Sequence, residues 1–305
     1  RYTNKYKTRN HLQPNIMNEA KIIGWWSGGI TSAVACKISI DLYGKENVRI
    51  IFIDTKNEDD DTYRFMKDCS DWYGLEIETI SSTKHKSVQD VWIRYKALNN
   101  AKGAVCSSEM KRQVRETWEK ENTWDHQVFG FELDEYKRAK GMVLNHSQTN
   151  PLFPLMMYGL TKKDCIKIVQ DENIEIPKMY QLGFLNNNCF KTGCVQGGIG
   201  YWQKIGREFP EKFNAMAKME HKLTDIKGKP VTMLKDQSKN GGLVFLKPHK
   251  DYPEIKDIAM MKGREPKPLF DCNGLCGIND LERNETEQEI NYQTTIFDFK
   301  EYERS

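Results

Sequence analysis

The 305-residue chain lacks any apolar run near the roughly 18–20 residues that cross a bilayer. Its first residues hold no apolar signal-peptide core either, so a cytoplasmic protein without a membrane segment is the expectation. Charge of one sign is also missing: 46 Lys and Arg stand against 43 Asp and Glu, a formal net charge of +3. That balance removes a chain-wide case for a nucleic-acid binder. The ends are polarised, with four bases and no acid in residues 1–14, and seven acids against three bases in residues 281–305. Both ends read as solvated tails, with a phosphate-gripping basic arm as the alternative. No internal repeat and no low-complexity tract is present. The glycine-rich Walker sequence with its lysine is absent, which excludes a standard P-loop, and so is the Gly-x-Gly-x-x-Gly dinucleotide fingerprint.

What is present is an alternation. Short apolar or β-branched runs at 21–26, 48–53, 76–80 and 127–131 read as strands of a buried parallel sheet. Helical patterns lie between them. Residues 31–43 put Val34, Ile38 and Leu42 on one face. Residues 59–73 align Tyr63, Met66, Cys69 and Tyr73, with Asp59, Asp60 and Asp61 at the positive helix start and Gly74 as the stop. Residues 107–121 and 134–145 read as further helices, and 161–171 as one more, capped by Thr161 with Asp164 three residues on. The fold class is α/β, a doubly wound, mostly parallel sheet. In such sheets ligands bind beyond the carboxyl ends of the strands, which selects the loops after Trp26, Ile53 and Phe131.

Past residue 177 the alternation fades. Residues 183–200 form a loop rich in Asn, Gly and Cys, residues 210–223 read as a helix, and 225–242 as turns. The expected organisation is an extension (1–18), a nucleotide-binding α/β domain (19–182), a cysteine-containing C-terminal region of helices and loops (183–280) and an acidic tail (281–305).

Three features carry chemistry. The first is Ser27-Gly28-Gly29-Ile30-Thr31-Ser32, between the first strand and the first helix. Glycines let backbone N–H groups approach an anion, and the helix start adds its positive end. A tight strand-to-helix turn needs the same glycines. The second is two close cysteine pairs, Cys189 with Cys194 and Cys272 with Cys276. Four thiolates suit tetrahedral zinc or a [4Fe–4S] cluster, redox-active thiols and two pairs of unliganded thiols being the other readings. Cys36, Cys69 and Cys165 fall within helical patterns and read as small buried hydrophobes. The third is Tyr201-Trp202, which either packs over the cysteine loop or offers an aromatic platform to a base. His85, His126, His146, His221 and His249 are isolated in sequence and read as surface or satisfied residues.

Several segments in one order make a resemblance. Ser27–Ser32 is similar to the PP-loop of the adenine-nucleotide alpha-hydrolase superfamily. Phe52-Ile53-Asp54-Thr55-Lys56-Asn57-Glu58, Cys106-Ser107-Ser108-Glu109-Met110-Lys111-Arg112, Gly130-Phe131-Glu132-Leu133-Asp134-Glu135-Tyr136-Lys137-Arg138 and Ile176-Pro177-Lys178-Met179-Tyr180-Gln181-Leu182-Gly183-Phe184 resemble successive motifs of its branch containing phosphoadenosine phosphosulfate (PAPS) reductase and the ATP sulfurylase small subunit. The likeness covers roughly residues 20–200. It implies an ATP- or PAPS-like nucleotide with phosphates on Ser27, Gly28, Gly29, Thr31 and Ser32, adenosine near Asp54 and Thr55, Gly130 beside them, and Lys111, Glu135 and Arg138 as the catalytic candidates. For Lys111 and Arg138 the other reading is a solvated helix face. It implies adenylyl-transfer or sulfur-transfer chemistry, a sulfur or electron donor as partner, and cluster cysteines after the Gly-Phe segment, with Cys106 in reserve.

The departures are specific. Thr31 stands where the loop aspartate helps hold Mg²⁺ in ATP-cleaving members. Glu132 stands where the family has Arg. The reductase's C-terminal Glu-Cys-Gly-Leu-His element is absent, which disfavours PAPS reduction by the single-cysteine route. A nucleotide-binding regulatory protein without turnover, and a sulfur-transfer component acting on tRNA or DNA, are therefore the alternatives.

Overall fold

The computed structural model describes residues 20–100, 103–238 and 240–269. The expected 1–18 extension, the 281–305 tail and Cys272 and Cys276 lie outside them. The central sheet has five parallel strands: β1 (Ile22–Trp26), β2 (Val48–Asp54), β3 (Ile77–Ser81), β4 (His126–Val128) and β5 (Pro151–Leu152). Their order is β3-β2-β1-β4-β5, so the chain winds one way from β1 and later returns to pair on its other side. The crevice at that reversal, beyond the carboxyl ends of β1 and β4, is where such sheets bind ligands.

The two-residue period of β1 and β2 builds two separate cores. Ile22, Ile50 and Phe52 face helices α1 (Ile30–Tyr43) and α2 (Asp60–Tyr73). Ile23, Trp25, Ile51 and Ile53 face the other side, with Trp118, Ala139 and Met142. The intervening helices are α3 (Val88–Tyr95), α4 (Gln113–Glu121) and α5 (Tyr136–Asn145). The α2 signals hold: Asp59 accepts from the Asp61 N–H as N-cap, and Gly74 ends the helix at φ 59°. Its buried face is Thr62, Phe65, Cys69 and Tyr73, so the expected stripe through Tyr63 and Met66 is rotated by a residue. After α6 (Pro154–Tyr158), α7 (Lys162–Asp171) carries the expected reciprocal cap between Thr161 and Asp164.

Four expectations are corrected. The fourth strand stops at Val128, because Phe129 and Phe131 turn into the core beside Phe153. After the short α8 (Lys178–Gln181), the expected 183–200 loop ends two residues early, where a helix, α9 (Ile199–Glu208), begins and buries Tyr201, Trp202 and Ile205. The next helix, α10 (Pro210–Lys227), runs four residues past Leu223 to a left-handed Gly228. The stretch expected as turns then contributes β6 (Leu234–Lys235) to a small sheet with β7 (Leu243–Phe245) and β8 (Lys256–Asp257). A third core joins Val88, Trp92, Leu98, Val105 and Met110 to Phe184, Phe190, Trp202, Met216, Leu223 and Val244. The C-terminal region thus shares its interior with the middle of the chain. Among the described residues no helix is long and apolar enough to cross a membrane.

Candidate nucleotide and thiol site

β1 delivers Ser27 to the sheet's carboxyl edge, and the backbone turns through Gly28 at φ 88°. A side chain there would be strained and would also meet Thr62 Cγ2 at 2.9 Å. Gly29 provides no side-chain cap for α1, and the first turn of α1 holds no acid. The start of the helix therefore keeps the electropositive character an anion requires. The Ser32 hydroxyl closes the loop from within, accepting from the Ser27 N–H (3.0 Å) and Ser27 Oγ (2.9 Å) and donating to the Gly29 carbonyl (2.9 Å). Thr31 and Ser32 are both buried.

Other elements brace this loop. The Ile30 N–H donates to Tyr180 Oη at 3.2 Å, and Asn187 Nδ2 donates to the Gly28 carbonyl at 2.8 Å and to Thr62 Oγ1 at 3.2 Å. From the other side comes Gly130. A Cβ at that position would lie 2.6 Å from Ser32 Cα and N and 2.8 Å from the Thr31 carbonyl carbon. Only a residue with no side chain lets the loop after β4 touch the start of α1. Gly130 thus joins Ser27–Ser32, as expected from the sequence.

At the end of β2, Asp54 Oδ1 accepts from Tyr63 Oη (2.9 Å) and from the Lys56 N–H (2.7 Å). Burial and the Asp54 carboxylate raise the Tyr63 hydroxyl well above its ordinary value. Thr55 is buried and donates through Oγ1 to Glu58 Oε1 at 3.0 Å. Lys111 Nζ lies 3.5 Å from the same Glu58 oxygen. It comes from a π-helical turn, Ser108–Arg112, a form of irregularity that clusters at functional sites. Cys189 Sγ completes the group, 3.6 Å from Thr55 Oγ1 and 3.9 Å from Glu58 Oε1. Burial first, then the Glu58 charge, pushes the Cys189 thiol up to about 12.

Glu135 and Arg138 meet elsewhere on the rim. They form an ion pair with each other, and the guanidinium lies 4.4 Å from the Phe131 ring centroid. Both Lys111 and Arg138 are buried, so neither lies on a solvated helix face. Glu132, the residue replacing an Arg, acts locally, its carboxylate accepting from the Lys162 N–H at 2.7 Å and lying 3.4 Å from Lys162 Nζ.

The six described cysteines form no disulfide. Cys36, Cys69 and Cys165 are buried as expected, and burial raises each thiol, Cys69 to about 12. Cys194 is buried, its N–H donating to Tyr201 Oη at 3.1 Å, and Cys106 packs on the same core. Among the described residues no third Cys, His, Asp or Glu joins Cys189 and Cys194 within ligand distance. Cys272 and Cys276, the other two cysteines of the expected four-thiolate set for zinc or a [4Fe–4S] cluster, lie outside the described residues. Tyr201 and Trp202 are buried under the cysteine loop, so the aromatic platform for a base is overturned. A Cβ on Gly193 would strike the Trp202 ring at 2.8 Å.

Two histidines isolated in sequence are neighbours in space. The His221 and His249 ring centroids are 4.7 Å apart. His249 Nδ1 accepts from the Asp251 N–H at 3.2 Å, and Nε2 lies 3.5 Å from Asp225 Oδ1. Asp225, His249 and Asp251 are the one group of three metal-ligating side chains among the described residues. Because Nδ1 already serves as acceptor, Nε2 carries the proton and faces a carboxylate, so the ring fastens the loop.

Asn187 was not singled out by the sequence; Tyr180 and Glu58 stood in family-like segments with no role assigned to them. The one signal was Asn186-Asn187-Asn188 in a glycine-rich loop, three amides able to bond backbone groups.

A family model described as the phosphoadenosine phosphosulfate reductase domain matches residues 21–197. No curated protein matches the sequence. Among solved structures, the PAPS reductase from Candida auris in its phosphate complex is similar at 13% identity and a TM-score of 0.44, covering 61% of this chain and 88% of that one. The U34-tRNA thiolase NcsA from Methanococcus maripaludis with its [4Fe–4S] cluster is similar at 14% identity and a TM-score of 0.42, covering 72% and 79%. At that distance neither neighbour bears on what this chain does.

Proposed function

The chain belongs to the phosphoadenosine phosphosulfate reductase domain family, and from that premise we propose that it is an enzyme of sulfur chemistry that binds ATP or a PAPS-like nucleotide at the carboxyl edge of its sheet. The supporting observation is the contact of Gly130 with the backbone of Thr31 and Ser32, which sets the phosphate loop against the next active-site loop with no side chain between them. In this reading the Ser27–Ser32 backbone and the start of α1 hold the phosphates. Asp54 and Thr55 border the adenosine. Lys111 meets negative charge that develops on the transferred group, and fixed donors of that kind need no reorganisation during the reaction. Arg138, oriented by Glu135 and Phe131, is a second cation on the rim. Cys189 and Cys194, together with Cys272 and Cys276, are the proposed ligands of zinc or a cluster, and no chemical step is assigned to that group. A sulfur or electron donor is the proposed partner.

The test is thermal stabilisation by ATP and by PAPS, with Ser27→Ala and Gly28→Ala variants expected to abolish it. Absence of any shift at millimolar nucleotide would sink the proposal.

A second reading, a nucleotide-binding protein without turnover, is favoured by one observation. Thr31 occupies the acid's position, is buried, and lies in an α1 turn that holds no carboxylate. Measuring pyrophosphate release separates the two. If the missing acid is the sole cause, Thr31→Asp restores release, although a carboxylate placed there must also offset its own burial.

A further inference from the structure

Glu58 is 1% exposed and Lys111 is 4% exposed, so two opposite charges have left water together. Such a pair contributes little net stability, because desolvating both ions costs about as much as their attraction returns. It is also not what joins these segments: Lys111 on the π-helical turn and Cys189 on the cysteine loop are already held together by the third core through Met110 and Phe190, and Thr55 and Glu58 follow β2, whose two faces are buried in the other two cores. What the carboxylate does is geometric. Its Oε1 accepts from Thr55 Oγ1 at 3.0 Å and faces Lys111 Nζ at 3.5 Å and Cys189 Sγ at 3.9 Å. The neighbouring Asn57 binds the same loops, its carbonyl accepting from the Phe190 and Lys191 N–H groups and its Nδ2 donating to Thr192 Oγ1 at 2.8 Å.

We infer that Glu58 is a positioning residue, the buried carboxylate that holds the Lys111 ammonium and the Thr55 hydroxyl in the arrangement the nucleotide meets. This rests on the nucleotide reading proposed above. A lysine on a flexible four-carbon stem loses its ordering when its carboxylate is removed. Gln at position 58 keeps the shape and drops the charge that faces the ammonium.

The test uses the full chain and the variants Glu58→Gln, Lys111→Met, the double variant and Thr55→Val. Three properties are read: ATP affinity by calorimetry, the rate at which an amine-reactive ester acylates Lys111 (by mass spectrometry), and the melting temperature. Glu58→Gln is expected to weaken ATP binding about tenfold, the size of one lost charge-assisted bond, and to speed Lys111 acylation several-fold. In the Lys111→Met background its effect on ATP should vanish, since a residue acting through another is non-additive with it. Additive losses, or unchanged acylation in a folded Glu58→Gln protein, overturn the inference. If Glu58→Gln does not fold, Thr55→Val loosens the same carboxylate without removing a charge. It should move both readouts in the same direction by less, and no movement in either overturns the inference. If the wild-type chain binds no nucleotide, the functional proposal fails by itself, and Lys111 acylation still decides the role of Glu58.

Discussion

Replacing Gly130 by Ala adds one carbon at the most crowded point of the site. That carbon would stand 2.6 Å from Ser32 Cα and from Ser32 N, both backbone atoms that no rotamer change can move aside. Ordinary contact begins at 3.4 Å, so the loop after β4 and the start of α1 must separate by about 0.8 Å. Overpacking of this kind costs about 1–3 kcal/mol. At roughly 2–4 °C per kcal/mol for a chain of this general size, melting falls by several degrees. The same separation distorts the proposed phosphate loop, so ATP affinity should drop by more than the stability loss alone explains. Two further glycines calibrate the result. Gly198→Ala enters open space at φ −77° and should be silent. Gly74→Ala also enters open space but at φ 59°, and should show the left-handed torsional cost of about 1 kcal/mol with no effect on nucleotide. Differential scanning fluorimetry with and without ATP reads all three. A Gly130→Ala protein that melts like Gly198→Ala and binds ATP like wild type would refute the close approach and the site built on it.

Other outcomes follow from single residues. Burial raises the Glu220 carboxyl to about 8 from an ordinary 4.5, although both its oxygens accept backbone N–H groups, from Met233 and Leu246. A raised carboxyl contributes stability that is complete below pH 4.5 and lost as pH climbs towards 8. The melting-temperature advantage of wild type over Glu220→Gln should therefore shrink between pH 5 and 8, and a constant difference would contradict this. Asn187→Ala removes the bonds to Gly28 and Thr62, costing about 1–2 kcal/mol and weakening ATP binding, whereas Thr62→Val spares the Gly28 bond and should bind more tightly than Asn187→Ala; equal affinities would count against the brace. Cys189, held as a thiol by burial and by Glu58, should react with iodoacetamide at pH 7.5 far more slowly than a free cysteine, and equal rates would refute its described surroundings.

The sheet and most helices were legible because they rest on local patterns: two-residue periods in β1 and β2, acids at the α2 start, a reciprocal cap at α7. α9 was missed because Gly197-Gly198 and Gly200 disguised its start, and the small C-terminal sheet because two- and three-residue strands carry no period. In the site, Ser27–Ser32, Gly130 and Lys111 were readable from their motifs. Asn187 was not, since an amide binding one carbonyl from more than a hundred residues away leaves no pattern in sequence, and Tyr180, although inside a family-like segment, gave no sign that its hydroxyl accepts the Ile30 N–H. Glu58 stood in a family-like segment, but its place was not readable there, and only the packing of Lys111 against it shows that it turns inward.

The third core sets a limit on how this chain can be divided. The family match ends at residue 197, yet Trp92, Val105 and Met110, which lie well inside it, are covered by Trp202, Met216 and Val244, which lie beyond it. A fragment stopped at the family boundary would open that interior to water where Trp202, Met216 and Val244 now close it. Any ancestral exchange, deletion or fusion that respected the boundary would have had to carry a replacement lid with it. The portion of this protein that defines its kinship therefore shares its interior with a portion that does not.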